Sequence, residues 1–211
     1  MMTKRISGIY GILPSGLTTA DLLHQAEQAL QGGVRLLQFR DKDAGYKKAL
    51  KRAKALRQLT LAYDARLVVN DSVQMAVESG ADGVHLGRDD EISNMAGLRQ
   101  QIGDSMLVGI TCRADAVFAR VMLQSGADYV SFGAVWASNS KPEVPEMGLP
   151  RLLKARQMFP EANICAIGGI DRQRLLQVKA AGVDCAAVIA ALFAAPDIKA
   201  EAQAMVDLWN A

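Results

Sequence analysis

Apolar residues along the chain gather in short runs that stop at polar or glycine-rich turns. Three runs resemble one another: SGADGVHLG (79–87), SGADYVSFG (125–133) and AGVDCAAVI (181–189). A weaker fourth copy is QGGVRLLQF (31–39). Each follows a helix-like stretch. The glycine fits a helix end that needs a left-handed backbone, and the apolar run after it reads as a strand. The copies begin at 31, 79, 125 and 181. That spacing is too long for one strand–helix unit and right for two.

The intervening strands are ISGIYGIL (6–13), RLVVN (66–70), MLVGIT (106–111) and NICAIGG (163–169). Helical patterns lie between strands. The clearest is 46–63, where Ala49, Ala53, Leu56, Leu59 and Tyr63 keep a three-to-four spacing under a basic outer face. Thr18 followed by Asp21 looks like a capping box opening the first helix. The last helix is predicted over 197–209.

Eight apolar strands alternating with eight helices mean a parallel sheet with helical crossovers. The fold class is α/β, and the expected architecture is a TIM (β/α)8 barrel forming a single domain over 1–211. The alternative is an open doubly wound sheet. Closure is favoured because it gives all four copies of the paired unit equivalent surroundings.

Composition narrows the classes. Half the residues are apolar and 22% are charged, as in ordinary globular chains. A formal net charge of +2 gives no general case for nucleic acid or an anionic membrane as partner. No apolar run reaches the roughly 18 residues of a membrane span. The segment from Met1 to Ile6 enters the first strand without a signal-peptide pattern. Cys112, Cys165 and Cys185 are an odd, widely spaced set. They read as reduced thiols of a cytoplasmic protein, not as a disulfide framework or zinc site.

In such barrels the site lies where strands end. Strand 2 delivers Gln38, Arg40 and Lys42; strand 3 delivers Asn70 and Asp71; strand 4 delivers His85, Arg88, Asp89 and Asp90. Strand 5 delivers Thr111, Cys112 and Arg113, and the long loop 133–148 carries Ser138, Ser140 and Lys141. Carboxylates at the ends of adjacent strands 3 and 4 can share one ion, since neighbouring strands are about 4.8 Å apart. Oxygen ligands without a suitable Cys/His cluster point to Mg²⁺. Cations beside that pair make sense if a polyanion lies between, and a diphosphate is the natural candidate. Gly168-Gly169 and the end of strand 8, near Ile189-Ala190, occupy the usual phosphate site of these barrels. The rim thus suits two phosphorylated small molecules. Plainer readings stand beside these. Asp71 before SVQMAV also fits a helix N-cap. His85 also fits an oriented core or rim histidine. Cys112 has no evident base for nucleophilic work.

QFRDK (38–42), VVND (68–71), GADGVHLGRDD (80–90), SFGAV (131–135), SNSK (138–141), AIGGI (166–170) and AAVIAALF (186–193), in this order, resemble the thiamine-phosphate synthase (thiamine-phosphate pyrophosphorylase) family over nearly the whole chain. The resemblance implies a TIM barrel. It implies a transferase that joins hydroxymethylpyrimidine diphosphate to hydroxyethylthiazole phosphate, releasing diphosphate and giving thiamine phosphate. It places the pyrimidine diphosphate on Gln38, Phe39, Arg40, Asp41, Lys42, Asn70, Thr111 and Lys141. Arg40, Lys42, Lys141 and Thr111 are the implied catalytic groups. It assigns Mg²⁺ to Asp71 and Asp90, choosing Asp90 over Asp89. It places the thiazole phosphate on Ser138, Asn139, Ser140, Gly168, Gly169, Ile189 and Ala190. The chain departs from the family at Ser138 and Ser140, where Thr is frequent, at Thr111, where Ser is usual, at Arg113, where a His is frequent, and at Ala190, where Ser is common. Two other readings remain. One is a thiazole tautomerase-like isomerase of the same superfamily, which needs neither metal nor diphosphate. The other is a non-catalytic paralogue that binds thiamine precursors.

Overall fold

The computed structural model describes residues 5–41, 43–88, 95–138 and 143–211. The strands are β1 (Gly8–Ile12), β2 (Leu36–Phe39), β3 (Arg66–Asn70), β4 (Gly83–Leu86), β5 (Leu107–Arg113), β6 (Tyr129–Phe132), β7 (Ile164–Ile167) and β8 (Cys185–Val188). Each pairs in parallel with the next, and β8 pairs with β1, so the sheet closes as a barrel. The helices are α1 (Thr19–Gln31), α2 (Tyr46–Ala62), α3 (Val73–Ser79), α4 (Met95–Ile102), α5 (Ala116–Gln124), α6 (Gly148–Met158), α7 (Arg172–Ala180), α8 (Ala190–Phe193) and α9 (Ile198–Asn210). The closed barrel is as expected, and the alternative of an open doubly wound sheet is thereby excluded. One helix exceeds the expected eight among the described residues: the single turn α8, which follows β8 without a polar break. The repeat glycines Gly33, Gly80, Gly126 and Gly182 all take positive φ, as the helix-end reading requires.

Strand alternation divides the core in two. Leu37, Phe39, Val69, Val84, Ile110 and Val130 face outward and pack under the helices. A smaller cluster, including Tyr10, Leu36, Val68, Leu107, Tyr129 and Cys165, fills the barrel interior. Tyr129 fits there only because its neighbour in register on β5 is Gly109: a Cβ at 109 would lie 2.0 Å from the Tyr129 ring.

The N-terminal end of the barrel carries a repeated clamp. Asp82, just before β4, accepts the Leu67 N–H of β3 at 2.8 Å and pairs with Arg57 of α2 at 2.9 Å. Asp128, before β6, accepts the Val108 N–H of β5 at 2.7 Å and pairs with Arg99 of α4 at 2.5 Å. Asp184, before β8, accepts the Ile164 N–H of β7 at 2.8 Å and pairs with Arg156 of α6. One carboxylate oxygen thus ties two strands and a helix together three times around the barrel. In the weaker fourth copy the strand begins one residue later than the alignment from Gln31 implies, so the residue before β2 is Arg35, whose guanidinium instead donates to the Leu30 and Val34 carbonyls.

Candidate active site

The C-terminal strand ends carry the expected polar residues, and the structure sorts them. Arg40, half-buried, follows β2, and its carbonyl accepts the Ser15 hydroxyl at 2.9 Å. Asn70 ends β3 in register with His85 of β4. Asp71 follows it with φ 63°, and its N–H donates to the His85 carbonyl at 2.9 Å, so the ladder runs one residue past the strand. Asp is among the few side chains that adopt this left-handed conformation readily.

The structure corrects the capping alternative for Asp71. Ser72 is the N-cap of α3, and its hydroxyl accepts the Met75 N–H at 3.2 Å. Asp71 is exposed at the rim, and the helix is capped one residue later.

Phe39 and Asp41, also expected to contact the pyrimidine diphosphate, are instead occupied within the protein. Phe39 is 2% exposed and packs outward under the helices. Strand alternation puts it on the face opposite Gln38. Asp41 is buried in an ion pair with Arg52 at 2.6 Å. Arg52 also donates to the Thr19 hydroxyl at 3.0 Å and the Leu17 carbonyl at 2.8 Å. Together they fix the loops after β1 and β2, and so the backbone on which Arg40 sits. Asp41, Asn70, Asp71 and Ser72 also line a small pocket between the ends of β2 and β3.

Gly168 and Gly169 end β7 with φ 104° and 62°. A Cβ on Gly168 would lie 2.5 Å from Ala134 Cα, and one on Gly169 would lie 2.6 Å from the Ala137 carbonyl oxygen. The base of the loop after β6 is thus laid directly on the diglycine. Val135 N–H donates to Ile167 at 2.9 Å, and Trp136 N–H to Gly168 at 3.1 Å. Arg174 covers the Trp136 ring at 5.1 Å and holds the Gly169 carbonyl at 2.6 Å. Ser138 lies on that loop, while Ile189 caps α8 and Ala190 begins it. Lys42, Asp89, Asp90, Asn139, Ser140 and Lys141 lie outside the described residues.

Under the rim runs a hydrogen-bonded chain absent from the sequence reading. Gln38 Nε2 donates to the Tyr10 hydroxyl at 2.9 Å. Tyr10 and Tyr129 hydroxyls are 3.1 Å apart. Tyr129 meets His85 Nδ1 at 2.9 Å, and His85 Nε2 meets Thr111 Oγ1 at 2.9 Å. His85, 7% exposed, is thus an oriented histidine with both nitrogens engaged. Burial pushes both tyrosine hydroxyls up, so they stay neutral. In an apolar strand a tyrosine reads simply as core, so Tyr10 and Tyr129 escaped notice. Cys112 is fully buried on the outer face, and burial pushes its thiol up to about 12, which removes it as a nucleophile at neutral pH.

Among the described residues no group of three or more His, Cys, Asp or Glu side chains converges as a metal cage. The donors proposed from the sequence are oxygen-only, Asp71 with Asp90. That suits an ion that keeps waters and shares a phosphate, and not zinc. Among the described residues no helix is long and apolar enough to cross a membrane.

Closure of eight parallel strands, with the polar side chains gathered at their C-terminal ends, makes this a TIM-barrel protein of the class whose sites are built from the loops after the strands. Residues 9–192 match the family model described as thiamine monophosphate synthase, a span from β1 into α8 that includes every site residue discussed. The chain is 40% identical to the thiamine-phosphate synthase of Chromobacterium violaceum over the full length of both. It is 42% identical to that of Bordetella bronchiseptica, covering 97% of this chain and 96% of the relative. The solved thiamine phosphate pyrophosphorylase from Pyrococcus furiosus superposes with a TM-score of 0.85 at 28% identity, covering 98% of this chain and 97% of that one. A 3-hexulose-6-phosphate synthase from Salmonella typhimurium, at 14% identity and a TM-score of 0.77, shares the fold alone. The chain belongs to the thiamine monophosphate synthase family, and is on that ground a transferase of thiamine phosphate formation.

Proposed function

We propose that the chain joins hydroxymethylpyrimidine diphosphate to hydroxyethylthiazole phosphate and releases diphosphate, in a Mg²⁺-assisted dissociative substitution. The observation that carries this reading is Asp71, held at the rim in a left-handed conformation while Ser72 caps the helix. Asp71 and Asp90 would hold Mg²⁺, which adds positive charge against the leaving diphosphate. Arg40, Lys42 and Lys141 stabilise the same leaving charge, a task that needs cations more than a strong base. The aminopyrimidine ring supports the benzylic-type cation left behind. The thiazole phosphate would rest on Ser138, Asn139, Ser140, Gly168, Gly169, Ile189 and Ala190. That anchor holds the thiazole nitrogen close enough to capture the cation. The three free, buried cysteines suit a reducing cytoplasm.

Incubation with both phosphorylated precursors and Mg²⁺ tests the proposal. Diphosphate release with thiamine phosphate formation supports it. Rearrangement of a thiazole phosphate without diphosphate release identifies a tautomerase, and binding without turnover identifies a precursor-binding paralogue. Either outcome overturns it.

A further inference from the structure

The buried chain from β2 to β5 begins and ends at residues that face the site. Gln38 Nε2 is committed to Tyr10, and its amide oxygen accepts no hydrogen bond from the described residues. At the other end, Thr111 Oγ1 contacts His85 Nε2. Between them lie two neutral hydroxyls and one imidazole, each touching the next at 2.9 to 3.1 Å. Such a chain has two polarities, because every hydroxyl and the imidazole can pass a proton either way. What sets the polarity is the orientation of the Gln38 amide.

We propose that this chain is a directional relay: Gln38, taking the amino group of the pyrimidine on its amide oxygen, fixes His85 as its Nε2–H tautomer and turns the Thr111 hydroxyl proton into the site. This rests on the functional reading above. The steps follow from donor and acceptor counts. With its oxygen toward an amino group, Gln38 presents only N–H groups to Tyr10. The Tyr10 hydroxyl must then accept from Gln38 and donate to Tyr129. Tyr129 donates in turn to His85 Nδ1. An accepting Nδ1 leaves the imidazole proton on Nε2, which donates to Thr111 Oγ1. The Thr111 hydrogen is then left to point outward, where an anionic diphosphate oxygen can accept it. In the opposite polarity Thr111 would offer that anion only lone pairs. Tyr10, Tyr129 and His85 are thus positioning residues, and they couple recognition of the base to a donor on the other side of the barrel mouth.

The chain has two histidines, His24 and His85, so ¹⁵N spectra of histidine-labelled protein resolve the tautomer, and a His24→Gln variant makes the assignment. The probe is the plain aminopyrimidine alcohol, then the diphosphate. Both should drive His85 to a single neutral Nε2–H form. An Nδ1–H form or an imidazolium in the complex overturns the relay. Tyr129→Phe keeps the ring over Gly109 and removes the donor to Nδ1. It should shift the tautomer and lower kcat about tenfold, the scale of one or two hydrogen bonds, with the thiazole-phosphate KM unchanged. Tyr10→Phe, one link further away, should do the same more weakly and serves if Tyr129→Phe does not fold. Thr111→Val, which removes the donor, should lower kcat far more than Thr111→Ser, which keeps it. An unchanged tautomer and kcat in both tyrosine variants overturns the proposal. A wild-type chain that releases no diphosphate overturns the functional reading, and the tautomer with the pyrimidine alcohol then decides the relay alone.

Discussion

The two ends of the barrel use the same four sequence repeats in opposite ways. At the N-terminal end, the residue before each even-numbered strand is Arg35, Asp82, Asp128 and Asp184, and the three aspartates make the same clamp. Three residues further along each copy, nearer the other end, the residues are Gln38, His85, Ser131 and Ala187. No two are alike. Gln38 and His85 belong to the buried relay, and Ala187 belongs to the interior packing. Where the repeat is kept, each clamp closes one strand pair, and equivalent geometry gives equivalent solutions. Where it is broken, a single asymmetric ligand has to be met by different groups from each strand. Stability is therefore distributed over copies at one end, and chemistry is concentrated by divergence at the other.

The largest expected effect breaks the repeated end. Asp128 and Arg99 form the most buried of the three clamps, with side chains 10% and 15% exposed. Asp128→Ala strands a guanidinium and an N–H of β5, and should cost about 3–5 kcal/mol of unfolding free energy. Asp82→Ala and Asp184→Ala, whose carboxylates are 21% and 24% exposed, should cost less. Urea unfolding of the three variants gives the ranking. Activity of the folded fraction at low temperature should be near normal in all of them. Equal losses, or lost activity in folded protein, would mean that the two ends do not divide the work.

Next comes the diverged end. Asp71→Asn keeps volume and tolerance of the left-handed backbone, and Ser72 keeps the cap. Stability should therefore change by less than about 0.5 kcal/mol. Turnover should fall about 10²-fold, as when one charge-stabilising group is removed, and the mutual strengthening of Mg²⁺ and diphosphate binding should weaken. Isothermal titration with and without Mg²⁺ reads the second point. Retained coupling in this variant would remove Asp71 from the metal site.

Legibility in the sequence follows the same division. The strands were visible because glycine, apolar run and turn recur together. The helix expected over 46–63 is Tyr46–Ala62, and the one expected over 197–209 is Ile198–Asn210. Thr18 caps α1 as expected, accepting the Asp21 N–H at 3.1 Å. The clamps were hidden although their aspartates sit inside the repeat. An Asp after a helix end reads as turn chemistry, and its arginine lies not on that helix but on the one before it, far back along the chain. At the rim, residue types were legible but directions were not. Period-two alternation sends Phe39 outward beside an inward Gln38. Asp41 is spent on Arg52, and the cap moves one residue from Asp71 to Ser72. The relay needed two tyrosines 119 positions apart to meet inside the barrel, which only closure brings about. The turn α8 was missed because Ala190–Phe193 continues the apolar run of β8 without punctuation.

A smaller effect tests whether the diverged end can be pushed back toward the family pattern. Ala190 begins α8, where a serine is common in the family. Ala190→Ser should tighten thiazole-phosphate binding by about 1 kcal/mol, the scale of one added hydrogen bond. Binding titration decides it. No gain would mean that backbone groups already saturate the phosphate, or that it sits elsewhere.

The smallest effect sharpens the comparison, because it concerns the clamp chemistry transplanted to the rim. Asp115 is the N-cap of α5. It accepts the Phe118 N–H at 2.9 Å and pairs with Arg88, from the loop after β4, at 2.7 Å. These are the same three partners as in each clamp: a carboxylate, a backbone N–H and an arginine. Here both side chains are about a third exposed, at 34% and 33%, so water and salt screen the pair. The Phe118 N–H, and then Arg88, hold the Asp115 carboxyl below its ordinary range. A depressed carboxylate contributes its full stability above its unfolded pKa of about 3.9 and loses it as pH falls through the lower folded value. Asp115→Asn keeps the cap and removes only the charge. Its melting temperature should therefore lie slightly below that of the wild type at neutral pH, and the gap should close below about pH 4. Added salt should narrow the gap at neutral pH, and should do so far less for Asp128→Asn. A gap independent of both pH and salt would show that Arg88–Asp115 contributes through packing alone, with Arg88 lying 5.2 Å over the Phe118 ring. Burial would then not be what separates the strong pairs of one end from the weak pair of the other.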